Sequence, residues 1–172
     1  MKNKYIFFFI TKFFLLYALF FTSVNAQDVF NFDITEIEIL DNGNTFIGKK
    51  RGTASSENNV YITADNFKYD KILNILYADG KVVINDRDNG SIIYTEEITY
   101  LKNEEVIFSK TRSKATDTVS IIEGNEFEYN KKLNELNIVG NVIYKDTLND
   151  YTILTEEITY LKNEEVIFSK TR

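Results

Sequence analysis

Apolar and polar residues alternate with a period of two along most of this chain. Around one polar turn a single set reads Phe127, Tyr129, Leu136, Ile138, Gly140, Val142 and Tyr144, all apolar, aromatic or glycine. The interleaved set carries Glu126, Glu128, Glu135, Asn137 and Asn141, broken only by Val139 and Ile143. Sixty residues earlier the apolar set is Phe67, Tyr69, Leu76, Ala78, Gly80, Val82 and Ile84. A period of two places one face of a strand against apolar material and the other against water. The abundance of β-branched and aromatic residues in these segments argues against helix. The expected class is all-β.

The pattern is duplicated. TEEITYLKNEEVIFSKTR occupies residues 95–112 and recurs letter for letter at 155–172. Upstream of it, eleven of the 31 positions in 64–94 match 124–154 at the same offset without a gap. A fixed offset over that length marks a duplicated structure. Each copy divides again, because a shift of 31 lays Phe67, Tyr69, Lys71 and Leu76 on Ile98, Tyr100, Lys102 and Ile107. The working unit is therefore about thirty residues: strand, polar turn, strand. DKILN, LKNEE and NKKLN are the turns, and a weaker first unit lies at 34–52, where Asn42-Gly43 signals a hairpin.

A closed barrel, a sandwich and an elongated stack of jelly-roll rungs all accommodate such units. Identical segments in successive copies favour the stack, in which equivalent rungs meet equivalent neighbours. A stack also leaves an open edge at each end. Its inner lining mixes rings with small residues (Ala78, Gly80, Gly140, Ser109, Ser169). That mixture allows either a filled core or a groove where two sheets splay apart and admit flexible hydrocarbon.

Composition narrows the chemistry. The 172 residues are 44% hydrophobic and 27% charged, as in one globular domain. There is no Cys, His, Trp or Pro. Most transition-metal sites and nucleophile–base pairs are therefore out of reach, and so is a disulfide framework. No catalytic role, metal or cofactor is expected. The acid pairs Glu96-Glu97, Glu104-Glu105, Glu156-Glu157 and Glu164-Glu165 read as solvated face and turn, since neighbours on a strand point to opposite sides. That arrangement suits neither paired glycosidase carboxylates nor calcium ligation.

Residues 1–26 have the form of a signal peptide: Lys2 and Lys4, an apolar stretch from Tyr5 to Phe21, then Val24 and Ala26 before Gln27. The apolar run after Lys12 is nine residues, short of the ~20 that cross a bilayer. Cleavage leaves 27–172 as the exported domain. It removes three lysines and no acid, which moves the net charge from −6 to −9. So acidic a chain has no general attraction for nucleic acid.

The stretch ITADNFKYDKILNILYADGKVVINDRD, followed by IIYTEEITYLKNEEVIFSKTR, resembles the OstA/LptA family. That family comprises the periplasmic lipopolysaccharide-transport protein LptA and the N-terminal domain of the outer-membrane protein LptD. The shared order is Ala64-x-x-Phe67-x-Tyr69, a polar turn, then Leu76-x-Ala78-x-Gly80-x-Val82, and it covers roughly residues 30–172. The resemblance implies an elongated β-jellyroll (the β-taco) of stacked antiparallel strands in the periplasm, associated with the outer membrane. It implies lipopolysaccharide as ligand, with lipid A acyl chains inside. Other Lpt-type jellyroll domains, or copies of the same chain, would add end to end by strand pairing.

The implied lining is Phe67, Tyr69, Leu76, Ala78, Val82, Ile84, Ile98, Tyr100 and Ile107 in the first copy. In the second it is Phe127, Tyr129, Leu136, Ile138, Val142, Tyr144, Ile158, Tyr160 and Ile167. The second copy departs from the motif with Gly124 at the place of Ala64 and Ile138 at that of Ala78, so a narrower groove is expected there. Three alternatives stay open: an adhesin-like structural protein without lipid, the N-terminal piece of an LptD-type protein, and an LptC-like partner anchored by an uncleaved N-terminus.

Overall fold

A computed structural model describes residues 30–170. The proposed signal peptide, residues 1–26, lies outside the described residues. Two short strands, β1 (Asn31–Asp33) and β2 (Glu36–Leu40), lead through a 3-10 turn into four long ones. These are β3 (Thr45–Ser55), β4 (Val60–Asp70), β5 (Ile75–Asp86) and β6 (Ser91–Leu101). Four short strands follow: β7 (Val106–Ser109), β8 (Ser113–Thr116), β9 (Ser120–Gly124) and β10 (Glu126–Asn130). The described chain ends with β11 (Glu135–Asp146), β12 (Tyr151–Leu161) and β13 (Val166–Lys170). Among the described residues every strand pairing is antiparallel, along the path β1-β3-β4-β5-β6-β7-β10-β11-β12-β13.

Register shows how this single sheet becomes a container. The long strands change register near their middle, at Lys49/Gly52, Thr63/Asn66, Asp79/Val82 and Val139/Val142. The two halves of one strand then belong to two different walls. Thr99–Leu101 of β6 pair with β7, whereas Ile92–Tyr94 pair with β8. Glu135–Val139 of β11 pair with β10, and Ile143–Asp146 with β9. The result is a stacked β-jellyroll: two walls of short rungs that meet along a corner of β-bulges.

The corner has a local cause. Gly80 and Gly140 both sit at φ +81°, followed by Lys81 and Asn141 at +49°. A side chain is strained at such angles. A Cβ at Gly80 would also meet Cβ of Asp65 at 2.7 Å. Strands β5 and β11 keep one inward alternation across their glycines, whereas β4 and β6, the neighbours of β5, switch which residues face inward. In β4, Val60, Ile62 and Ala64 are buried before the corner, and Phe67 and Tyr69 after it. In β6 the buried set passes from Ile93 and Thr95 to Ile98 and Tyr100. Glu96 and Glu97 consequently lie outside together, not on opposite faces as plain alternation implies.

The expected narrowing of the second copy does not follow from its two substitutions. A Cβ placed on Gly124 would stand 2.3 Å from Cγ2 of Ile138. Ile138 fills the space that an alanine at 124 would occupy, so bulk has moved from one position to the other.

Candidate functional site

All eighteen residues expected to line the interior face inward. Sixteen are buried, and Tyr160 and Ile167 are half-buried and packed on the same core. Eight further inward residues were not among them: Phe30, Ala54, Val60, Ile62, Ala64, Ile93, Ala115 and Ile122. Val60, Ile62, Ala64 and Ile93 belong to half-strands that lie across a bulge from the expected lining of the same strand. The Gly80-Lys81 and Gly140-Asn141 pairs were the available signal, because glycine inside a strand marks such a switch.

In this structure the interior is packed. In the first copy Phe30 sets its ring edge-on to Tyr69 and Tyr100, with centroids 5.2 and 5.4 Å away. Phe32 stacks on Phe46 beside them at 6.2 Å. At the junction of the copies a slot lined by Ile93, Ala115, Ile122, Leu136 and Tyr160 keeps about 20 Å³ free, room for about one water molecule. Of the small residues expected inside, Ser109 is buried and Ser169 is exposed.

The polar turns form the lips of the container. At the end of one wall they stack at the thirty-residue interval. The amide N–H groups of Lys71, Lys102, Lys131 and Lys162 donate to the carbonyls of Asn44, Asn74, Glu105 and Asn134, at 2.8, 3.1, 2.9 and 3.1 Å. Asn74 and Asn134, each at positive φ, add amide bonds to Asn103 and Asn163 of the next turn. A tyrosine reaches from the core to its own turn five residues on. Tyr69 donates to Asn74 at 2.6 Å, and Tyr100 to Glu105 at 2.7 Å.

The opposite lip carries Asp86, Asp88, Asn89 and Asp117, and the two lips touch. Lys131 bridges to both carboxylate oxygens of Asp86 and to Asp88, each at 3.0 Å. Tyr129 donates to Asp86 at 2.6 Å, and Asn89 donates to Tyr129 and Asn134. Burial pulls the Lys131 ammonium down, but its two carboxylates outweigh that and hold it above the usual lysine value. Lys162 crosses the same mouth to the Asn89 carbonyl and to Ser91 Oγ, with the nearest Asp117 oxygen 3.8 Å away. Here burial wins, and the ammonium is held below the usual value.

The two identical segments therefore use their side chains differently. In the first, Lys102 and Tyr100 both bond to Glu105, which is buried. This corrects the expectation that all these glutamates lie in water. In the second, Glu165 is exposed and Lys162 points across the mouth. Among the described residues, Glu105 has a following turn stacked on it and Glu165 has none.

The family model described as lipopolysaccharide-assembly, LptC-related, matches residues 25–146. The chain belongs to this LptC-related family. The resemblance in the sequence pointed more narrowly to OstA/LptA; the match assigns the chain to LptC-related proteins, and the jellyroll is what the two share. The crystal structure of LptH, titled the LptA-homologous periplasmic component of the lipopolysaccharide transport device of Pseudomonas aeruginosa, is similar in fold. It superposes with a TM-score of 0.58 at 12% identity, covering 65% of this chain and 82% of that one. The comparison with curated proteins found no match. Membership of an assembly family fits a transport role rather than a catalytic one. No helix of the described residues is long and apolar enough to cross a membrane.

Proposed function

We propose that this LptC-related protein carries lipopolysaccharide between membranes, with the acyl chains of lipid A sheltered between its two walls. One observation supports this most directly: in a chain of a lipopolysaccharide-assembly family, one apolar lining runs without interruption through both copies of the repeat. Acyl chains crossing water need such a lining, at ~0.8 kcal/mol for each methylene removed from solvent. The proposed contacts are the eighteen motif residues together with Ile93, Ala115 and Ile122. In this reading residues 1–26 are removed on export, and the 27–172 domain works in the periplasm.

Its ends would pair with other jellyroll domains, LptA-like ones or further copies, by main-chain hydrogen bonds. The free edge of β13 suits that role, since among the described residues β13 pairs only with β12. The test is co-purification: the exported chain incubated with lipopolysaccharide is expected to emerge from size exclusion as a complex. A chain that emerges free at saturating lipopolysaccharide defeats the reading. Mass spectrometry of the periplasmic protein should give Gln27 as its first residue; a retained Met1 would restore the anchored alternative.

A further inference from the structure

The lips are not held equally. Lys131 is neutralised by two carboxylates at 3.0 Å, and Lys102 is bonded to Glu105 within its own turn. Lys162 differs: its side chain is 19% exposed, its two hydrogen-bond acceptors, a carbonyl and a hydroxyl, are both neutral, and the nearest carboxylate stands off at 3.8 Å. That carboxylate, Asp117, is anchored through its other oxygen. Oδ1 accepts from the N–H groups of Val119 and Ser120 and from Ser120 Oγ, at 3.0, 2.8 and 2.8 Å. Oδ2, at 3.5 Å from Tyr160 Oη, is the atom that stands 3.8 Å from Lys162. A partly buried ammonium whose hydrogen bonds both go to neutral acceptors, with its carboxylate beyond hydrogen-bond reach, is a position where an incoming anion gains a charge-assisted bond.

Three neighbours give this position direction. Directly beneath Lys162 is the slot floored by Ile93, Ala115, Ile122 and Leu136. Asn89, whose carbonyl Lys162 holds, has a buried side-chain oxygen without a partner among the described residues. Buried acceptors are normally satisfied, so this one suits a donor brought by a ligand. The remainder of the interior is closed by the Phe30 cluster at one end and by the Lys131 bridges along the mouth.

We propose that Lys162 is the latch of the mouth and the head-group site for an anionic amphiphile, a phosphate monoester bearing an acyl or alkyl chain. The phosphate exchanges for Asn89 and Ser91 at the ammonium, its P–OH meets Asn89 Oδ1, and the lips part so that the chain enters between Ile93 and Leu136. This rests on the reading of the interior as a lipid container and adds its point of entry and head-group chemistry.

Calorimetric titration of the full chain with dodecyl phosphate, dodecanol and inorganic phosphate tests the idea. Dodecyl phosphate is expected to bind at least tenfold more tightly than either part alone. Lys162→Met should lose about tenfold of that affinity, while Lys162→Arg and the exposed-site variant Lys145→Met should keep it. Equal affinity in Lys162→Met overturns the proposal, and so does inorganic phosphate binding as tightly as the amphiphile, which would mark a site for free phosphate.

Because Lys162→Met could lose the fold, a second route leaves the closed state intact. The chain has no cysteine of its own. Asp88→Cys with Lys131→Cys, which leaves Lys162, Asn89 and Ser91 in place, can therefore be joined across the mouth by a short bis-maleimide. The joined protein, folded by circular dichroism, should take up no dodecyl phosphate; uptake equal to that of the unjoined pair overturns the latch. Lipopolysaccharide, added as a further arm, separates the two readings. If it binds wild type and Lys162→Met equally, the latch fails and the transport reading stands. If dodecyl phosphate binds through Lys162 and lipopolysaccharide does not bind, the reverse holds.

Discussion

Glu105 and Glu165 occupy the same place in identical eighteen-residue segments, yet only Glu105 is buried and bonded to Lys102 and Tyr100. Removing one partner of a buried pair costs about 3–5 kcal/mol, whereas exposed substitutions usually stay within about 0.5 kcal/mol. Glu105→Gln is thus expected to lower the urea midpoint clearly and Glu165→Gln hardly at all. A pH dependence goes with this. Burial works against the Glu105 carboxylate, but the bonds from Lys102 and Tyr100 outweigh it and hold its pKa low. The bonds from Val119 and Ser120 do the same for Asp117. A carboxylate lowered in the folded state adds stability above its unfolded pKa, about 4, and loses it as pH falls through the folded value. Stability should therefore drop on acidification below about pH 4. In Glu105→Gln the drop should be shallower, as urea titrations at stepped pH would show. The Gly124 and Ile138 pair gives a sharper test. Gly124→Ala alone should cost about 1–3 kcal/mol by overpacking, and Ile138→Ala alone about 2–5 by leaving a cavity. Together they restore the Ala–Ala arrangement of the first copy, and the double variant should cost less than the sum. Additive losses would show that the two positions do not share that space.

At the scale of elements, the bulge is what turns a ladder into a container. A flat sheet of these strands would expose its apolar face; the turn at Gly80 and Gly140 folds that face onto itself. Gly80→Val forces a β-branched side chain into φ +81° and against Asp65. Strain of that kind costs of order 1–3 kcal/mol. The expected outcome is a lower melting temperature with the strand content of the far-ultraviolet spectrum kept. The same variant should also bind lipopolysaccharide more weakly, since the walls no longer close at the correct angle. An unchanged melting temperature would show that the corner tolerates ordinary backbone angles.

Across the whole molecule the two copies are unequally enclosed. Tyr100 and Ile107 are fully buried, while their duplicates Tyr160 and Ile167 are only partly so. Phe30 reinforces the first copy alone, through its contacts with Tyr69 and Tyr100. Local opening is easiest where few apolar contacts are buried. Hydrogen exchange followed by NMR should therefore find faster exchange in β12 than in β6, despite their shared residues. Phe30→Ala should narrow that difference by loosening β6, at a cost of about 3–5 kcal/mol in global stability. Equal protection of the two strands in the wild type would contradict the asymmetry. The weaker second copy is also where Lys162 closes the mouth, so the part of the molecule built to open is the one farther from Phe30.

The strand class, the thirty-residue unit, the turns and the inward set from Phe67 to Ile167 were legible in the sequence. They follow from short-range rules, a period of two and polar turn residues, which act within a few positions of the chain. The first halves of β4 and β6 were not, because their alternation shifts by one at the corner while only the glycines of neighbouring strands marked the place. Nor could the letters tell Glu105 from Glu165, or Lys102 from Lys162, since the residues were the same. What separated them was the neighbour: a turn stacked above Glu105 keeps its carboxylate out of water beside Lys102. With no such turn among the described residues over Glu165, Lys162 instead swings across to Asn89 and Ser91. Burial and charge pairing depend on what lies across space, and that was decided only when the sheet folded at its corner and brought the two lips together.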